Sequence, residues 1–215
     1  MGFPLALLIA LGVPAAAAQA AAPEQSASQP ASQSAEGGPA AVVAQFHQAL
    51  LASMKTGGSG SSGCAARSRG LAAAIDQDFD MPYLAERVLR KRWDGLDEAQ
   101  RKRFTALFRE LVVTTYAGNF SSYSGESFSA PSARPFGADM QLVKTELTPA
   151  KGDKVSFDYV LRQTPDGWRI VNIIADGVSN LALWATQYDH VFAEQGFDGL
   201  MKQLQGQVDK AKAAC

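Results

Sequence analysis

The side chains that could carry out acid–base chemistry are few and widely spaced in this 215-residue sequence. Asp158 and Asp176 are candidate general bases and Tyr159 a candidate proton donor, as in a small isomerase or dehydratase. In an alternating strand, however, Asp158 points to the opposite side from Tyr159, away from the apolar face. The pattern therefore argues against an enzyme, and we expect no catalytic residue, with the small enzyme kept as the alternative.

Metal binding is the second chemistry to consider. Asp76, Asp78 and Asp80 alternate along the chain but lack the glycine and the distal glutamate of an EF-hand calcium loop, so solvated helix caps are the favoured interpretation. His47 and His190 are the only histidines, and neither lies at ligand spacing from a cysteine. Glycine-rich nucleotide loops and hydrolase motifs are also absent from the sequence. We therefore expect no metal ion and no cofactor.

Two short basic runs, Arg90–Trp93 and Arg101–Arg103, could contact phosphate or lipid headgroups, although such runs are more often solvated helix faces. The net charge of the chain is only −1, which gives no argument for a nucleic-acid partner. Cys64 and Cys215 are the only cysteines. In an oxidising compartment they could form a disulfide, and a bridge and two free thiols are equally compatible with the sequence.

The N-terminal segment predicts export. An apolar run from Phe3 to Val13 precedes Pro14 and the triplet Ala18–Ala20, which is typical of a secretory signal peptide over residues 1–20 and too short to span a bilayer. No lysine or arginine precedes Lys55, so either the true start lies upstream or the signal peptide is atypical. An uncleaved amphipathic or buried segment is the alternative. Residues 21–38 are poor in large apolar side chains and predict a flexible linker, which leaves residues 39–215 as the folded domain.

Hydrophobic spacing predicts helices at both ends of this domain and strands between them. The predicted helices run from about Pro39 to Thr56, Ala65 to Ile75, Asp80 to Lys91, Asp97 to Gly118, Asn180 to Gly196, and from Gly196 to about Val208. The predicted strands are Glu126–Ala130, Met140–Leu147, Lys154–Gln163 and Trp168–Asp176. This order predicts an α+β fold, with a curved four-stranded antiparallel sheet that is covered by the N-terminal and C-terminal helices and encloses an apolar cavity.

The last predicted strand is apolar on both faces, and we assign Ile170 and Ile174 to one face and Val171 and Ile173 to the other. It runs into Asp176–Gly177 and then into further apolar residues. A sharp turn with unusual backbone angles at the glycine would deliver Val178, Leu181 and Leu183 to the same apolar interior.

Several of these segments together resemble the MlaC family of periplasmic lipid-binding proteins, also called the toluene-tolerance family. The most specific are Trp168–Ile170 followed by Asp176–Ser179, where the family has a tryptophan-containing strand and an acid-Gly-Val-Ser turn; Gly196–Leu200 adds to them. A hopanoid-associated branch, HpnM, is also similar in "RWDGLDEAQRKRF" and "YAGNFSSYSGESF", and these segments slightly favour it. The similarity covers most of the chain from about residue 40 to 204. The glycine-serine insertion at Thr56–Gly63 departs from both branches.

The resemblance implies a periplasmic carrier that holds a hopanoid or a phospholipid in its cavity. It implies shuttling between an inner-membrane transporter and the outer membrane, with transient contacts to membrane complexes. The family's lining positions map onto Val155, with its same-face neighbours Phe157 and Tyr159, and onto Val178. Helix and strand spacing add Phe108, Val112, Tyr116 and Ile170. Each of these residues could equally be ordinary core, and an interaction module that binds a protein helix in the same groove is a third possibility.

Overall fold

The computed structural model of the protein describes residues 37–56 and 60–215. The predicted signal peptide and residues 21–36 of the predicted linker lie outside the described residues. The helical elements are α1 (Pro39–Thr56), α2 (Gly60–Asp78), α3 (Met81–Leu89), a 3₁₀ helix (Arg90–Gly95), α4 (Glu98–Asn119) and α5 (Asn180–Ala214). The strands are β1 (Ser127–Phe128), β2 (Ser132–Phe136), β3 (Met140–Thr148), β4 (Val155–Thr164), β5 (Gly167–Ala175) and β6 (Val178–Ser179). The α+β class is confirmed.

The predicted helix starts rest on side chains that bind the first free N–H groups. The Asp97 carboxylate accepts from the backbone N–H of Gln100 at 2.8 Å, and the Gln100 side chain accepts from the N–H of Asp97 at 3.0 Å, so the predicted capping box of α4 is confirmed. Asp80 caps α3 by accepting from the Tyr83 N–H at 3.0 Å. Within the described ranges, no helix is both long and apolar enough to cross a bilayer.

The second helix is longer than predicted. It starts at Gly60 rather than at Ala65, so Gly60–Gly63 is helical, although glycine and serine favour a linker. Its C-terminal end continues to Asp78, close to the start of α3. The inserted segment that departs from the family pattern is therefore in part a helical turn immediately before Cys64.

The antiparallel sheet has six strands in the order β1-β3-β4-β5-β6, and β2 pairs with β3 beside β1. Strands β3, β4 and β5 form the predicted meander. The two additional strands have clear reasons for escaping prediction. All five residues of β2 are exposed, so this strand has no buried apolar face whose spacing could predict it, and β6 has only two residues.

A β-bulge changes which faces the residues of β5 occupy. Leu161 lies opposite Ile170 whereas Val160 lies opposite Asn172, so Val171 is an extra residue in β5. Ile170 and Ile173 consequently both face the helices and belong to the main core, while Val171 and Ile174 pack on the opposite face. The expectation that Ile170 and Ile174 share a face is wrong for this reason. The expectation that both faces of the strand are covered is confirmed, since Val171 is buried.

The turn after β5 has the predicted backbone. Gly177 has φ +79° and Asp176 φ +47°, a conformation that glycine tolerates best and that aspartate adopts more readily than most residues. The turn leads through β6 into α5, whose first turn packs Leu181 against the main core. Leu183 does not follow it: its side chain is 57% exposed, which corrects the expectation that it joins the interior.

Helix α5 is interrupted at Gly196, where φ is +67°, so the predicted division into two helical parts is confirmed. The second part ends beside α2 because a disulfide joins Cys215 to Cys64, with their Cα atoms 5.4 Å apart. Next to the bridge, the buried Arg67 donates to the carbonyl oxygens of Ala117 and Cys215, each at 3.0 Å. The C-terminal half of α5, α2 and the end of α4 are thus linked together.

Candidate functional site

The eight predicted lining residues divide into two groups. Five of them are buried in the main core, namely Phe108, Val112, Tyr116, Tyr159 and Ile170. Val155, Phe157 and Val178 are half-buried at one end of the sheet, where Phe157 lies opposite Ala175 and Ala175 lies opposite Val178. Directly opposed residues share a sheet face, so Phe157 and Val178 lie on the face that the helices cover. This end of the sheet is the more accessible part of the predicted lining.

A small apolar pocket lies between the sheet and the helices. Its lining residues are Phe79, Leu84, Val112, Tyr116, Asn172, Ile173, Asn180, Leu181 and Trp184. Two of them, Val112 and Tyr116, are among the predicted lining residues. The volume is only about 10 Å³, about what one water molecule requires. The interior in this conformation is closed, and a long alkyl chain would enter only if the surrounding helices moved apart.

Three of the nine lining residues, Asn180, Leu181 and Trp184, come from α5, more than from any other element. Trp184 packs its ring perpendicular to that of Phe108, with the centroids 5.0 Å apart, and Leu181 lies one turn earlier on the same helix. Leu84 of α3 completes this side. The prediction of the lining missed Trp184 and Leu84, although the spacing of Leu181 and Trp184 places both on one face of a helix, which is the signal that could have found them.

One polar pair is buried within this apolar core. Nε2 of His47 lies 3.0 Å from the hydroxyl of Tyr159, and the imidazole stacks on Phe128 with the centroids 3.8 Å apart. Burial lowers the pKa of His47 to about 4 and raises the pKa of Tyr159 well above 10. Both side chains are therefore neutral at pH 7, and their hydrogen bond meets the polar needs of two groups that water cannot reach.

A second buried ionisable group lies at the end of α2. Asp78 is almost fully buried, and its Oδ2 atom has no hydrogen-bond partner in the described part of the chain. Burial raises the pKa of Asp78 to about 6, and the positive charge of Arg169 opposes this increase. Its two neighbours in the acidic run have separate roles, since Asp76 binds Arg109 and Asp80 pairs with Arg162 at 2.8 Å. The prediction that Asp80 is a helix cap is confirmed. The expectation that all three aspartates are solvated caps is wrong, because Asp78 is buried and Asp76 binds Arg109 instead.

These two shifts predict opposite pH dependences of stability. The folded pKa of His47 is below its ordinary value of 6.5, so the unfolded chain binds more protons than the folded chain between about pH 6.5 and pH 4. Acidification through this window should therefore lower the free energy of unfolding, by up to about 3 kcal/mol from this group. The folded pKa of Asp78 is above its ordinary value of 3.8, so its contribution instead increases as the pH falls through about 6.

Two variants separate these contributions. We expect His47→Gln, which keeps a hydrogen-bonding group for Tyr159, to abolish the loss of stability between pH 6.5 and pH 4, and Asp78→Asn to make that loss steeper. Urea unfolding at a series of pH values measures both. A wild-type profile that His47→Gln leaves unchanged would show that His47 is accessible to protons in the folded protein.

The candidate residues of the enzyme alternative do not come together. Oδ2 of Asp158 lies 3.5 Å from Nζ of Lys144, on the face opposite to Tyr159. Oδ1 of Asp176, in the turn after β5, accepts from the N–H of Ser156 in β4 at 2.9 Å. The hydroxyl of Tyr159 pairs with His47 instead. Among the described residues, no group of three or more histidine, cysteine, aspartate or glutamate side chains is placed to hold a metal ion. Of the buried ionisable groups, His47 and Tyr159 satisfy each other, whereas Oδ2 of Asp78 has no hydrogen-bond partner among the described residues.

The fold and the site define a class of α+β proteins in which helices close an apolar interior against an antiparallel sheet. A family model described as "MlaC protein" matches residues 44–206, which is more than half of the chain. The chain belongs to the MlaC family. The resemblance noted in the sequence is thereby confirmed at the level of the family.

Two individual proteins show the degree of similarity. The intermembrane phospholipid transport system binding protein MlaC of Haemophilus influenzae is 21% identical over 131 residues, which are 59% of this chain and 61% of that protein. The alignment therefore spans less than two thirds of this relative. A solved structure of a phospholipid-binding protein from Ralstonia solanacearum, in complex with a phospholipid, matches with a TM-score of 0.66 and 19% identity. The match covers 81% of this chain and 98% of that one, and it shows a shared fold.

Proposed function

We propose that this protein is a periplasmic lipid carrier. It binds a phospholipid or a hopanoid in the apolar interior between the sheet and the helices, and it moves the lipid between an inner-membrane transporter and the outer membrane. The observation that carries the proposal is the apolar pocket closed by Leu181 and Trp184, in a chain of the MlaC family. The phospholipid bound in the Ralstonia structure and the membership of the Haemophilus relative in an intermembrane phospholipid transport system support it.

The driving force for such a carrier is burial of the alkyl chain. Each methylene group removed from water contributes about 0.8 kcal/mol, so one long chain supplies ample free energy for a soluble complex. No covalent step is needed. Since the interior holds only about 10 Å³ in the closed form, the binding energy must also offset the separation of helices that opens it.

The structure suggests which helices separate. The N-terminal part of α5 carries Leu181 and Trp184 and is bounded by the turn at Gly177 and the interruption at Gly196, two glycines with positive φ. The part beyond Gly196 is tied to α2 by the disulfide. We infer that the segment between the two glycines moves away from the sheet while the rest of the helical layer stays in place.

The test is to purify the protein from the periplasm of its own source under native conditions. We expect native mass spectrometry to show a bound mass in the range of one or two lipids, and organic extraction followed by lipid analysis to identify it. Protein denatured before extraction and repurified serves as the control for adventitious carry-over. Recovery of the native protein from the periplasm without any lipid, together with failure to take up lipid from vesicles, would refute the carrier.

A further inference from the structure

The two basic runs of the sequence differ in what their side chains contact. Each side chain of Arg101–Arg103 has a partner within the protein. Arg101 donates to the carbonyl oxygen of Trp93 at 3.2 Å. The ammonium group of Lys102 lies 2.6 Å from the carboxylate of Glu98, and the guanidinium group of Arg103 lies 3.8 Å from the carboxylate of Asp198. This run is a solvated helix face held by intramolecular contacts.

In the first run, Arg92 pairs with Asp189 at 2.9 Å, but the other two cations have no such partner among the residues that the structure describes. Arg90 and Lys91 are exposed, and so is Arg87, one turn earlier in α3. Within the described ranges none of the three forms an ion pair or a side-chain hydrogen bond, although Arg87 lies over the ring of Tyr83, 5.8 Å from its centroid. The three cations line one wall of a surface groove with a volume of about 450 Å³, which we call the basic groove. Arg90 ends α3 with φ +51°, a rare conformation for a residue other than glycine, and its backbone N–H donates to the carbonyl oxygen of Glu86.

The opposite wall of this groove is the start of α5, formed by Ser179, Leu181 and Ala182. Leu181 lines the apolar pocket as well, so the groove and the pocket meet at this side chain. An amphiphilic lipid has a charged headgroup and apolar chains. The cationic groove suits the headgroup and the apolar pocket suits the chains, and Leu181 lies between them. The charged end would remain in the groove, and the alkyl chain would pass Leu181 into the interior.

The charge of the groove comes from side chains and not from the helix end. Ser179 and Asn172 already accept the N–H groups of Ala182 and Leu181, each at 3.2 Å, so the first turn of α5 offers few free donors there. Glu86 and Asp94 also line the groove, and the three cations exceed these carboxylates by one positive charge. A phosphate group, which accepts several hydrogen bonds from arginine and lysine, is the anion that this set of donors suits.

We propose that this groove holds the phosphate of the headgroup of the bound lipid, and that the protein therefore selects phosphate-bearing lipids over uncharged ones such as hopanoids. The inference rests on the proposed carrier function. It assigns Arg87, Arg90 and Lys91 to headgroup recognition and leaves the apolar residues to bind the chains.

The test compares two lipid probes that share their chains and differ in phosphate. Short-chain phosphatidylglycerol and the matching diacylglycerol, each with a fluorescent chain and below its micelle concentration, are titrated into the delipidated protein. We expect the wild type to bind phosphatidylglycerol at least about tenfold more tightly, as charge-assisted hydrogen bonds to a phosphate predict. The variant Arg87→Gln/Arg90→Gln/Lys91→Gln should lose this preference and keep its affinity for diacylglycerol.

A matched control removes three charges elsewhere. Lys102→Gln/Arg103→Gln/Lys202→Gln should leave both affinities unchanged, since these side chains lie away from the groove. Salt provides a test without mutation: higher ionic strength should weaken phosphatidylglycerol binding to the wild type but not diacylglycerol binding. Equal losses in the two triple variants would attribute the effect to net charge and overturn the assignment.

Other results overturn the proposal in distinguishable ways. Equal wild-type affinities for the two probes would refute the headgroup site and leave the carrier standing, whereas binding of neither probe by a protein that also yields no extracted lipid would refute the carrier. Binding of inorganic phosphate that depends on the three cations but does not compete with phosphatidylglycerol would assign the groove to free phosphate. If the triple variant of the groove binds both soluble probes normally and is defective only in taking lipid from phosphatidylglycerol vesicles, the groove binds the membrane surface and not the headgroup of the bound lipid.

Discussion

Replacing Cys64 and Cys215 together with serine should lower the free energy of unfolding by about 5 kcal/mol, because the bridge closes a loop of 151 residues whose entropy it removes from the unfolded chain. Small domains are stable by only about 5 to 15 kcal/mol, so this loss would leave the protein close to unfolding. The contact between the carbonyl oxygen of Cys215 and the buried Arg67 would weaken at the same time. Urea unfolding of the wild type and the double variant measures the difference.

Two controls follow from the chemistry of the bridge. Either single variant, Cys64→Ser or Cys215→Ser, should be as unstable as the double variant, since each alone prevents the bond. A thiol reductant should lower the urea midpoint of the wild type to that of the variants and leave the variants unaffected. If the reductant opens the disulfide and the urea midpoint of the wild type does not change, the covalent link does not stabilise the fold.

The disulfide is a feature that the sequence alone does not predict, in contrast to the helices. The apolar spacing of α1 predicted a helix, and Val43, Phe46, Leu50 and Met54 are all buried. Helical spacing and capping residues act within a few positions of the chain, which makes such elements predictable. Cys64 follows a glycine-serine run that favours a linker, yet Gly60–Gly63 is helical and the cysteine is fixed beside the C-terminus. Only the packing of distant helices decides between a bridge and two thiols.

The same limit applies to the apolar interior: local spacing predicts which residues of one helix point inward, but not which distant residues meet. The spacing of α4 correctly placed Val112 and Tyr116 on one inward face. The bulge at Val171 was missed because a period of two assumes an unbroken ladder, and a single extra residue exchanges the faces beyond it. The partnership of His47 and Tyr159 joins residues 112 positions apart and has no local signal in the sequence. The basic groove combines the end of α3 with the start of α5, so it exists only in the folded chain.

The second large effect expected is the loss of bound lipid when the accessible end of the predicted lining is filled. Val155 and Val178 are half-buried at the same end of the sheet as Phe157, on the face that the helices cover. If a lipid chain passes these residues, Val155→Trp and Val178→Trp should occupy the space that it needs and leave the fold intact. If the region is packed core, the same changes should instead force strain of about 1 to 3 kcal/mol.

Ile174→Trp provides the matched control, because Ile174 is equally half-buried, lies three residues from the turn glycine Gly177, and packs on the opposite face of the sheet. We expect this variant to carry as much lipid as the wild type, whereas Val178→Trp should lose most of it with a change in Tm of only a few degrees. The measurements are extracted lipid per protein and thermal unfolding, made in parallel. If Val155→Trp and Val178→Trp are stable and carry as much lipid as the wild type, the lipid chain does not pass either residue. The entrance would then lie beside Leu181, where the pocket meets the basic groove.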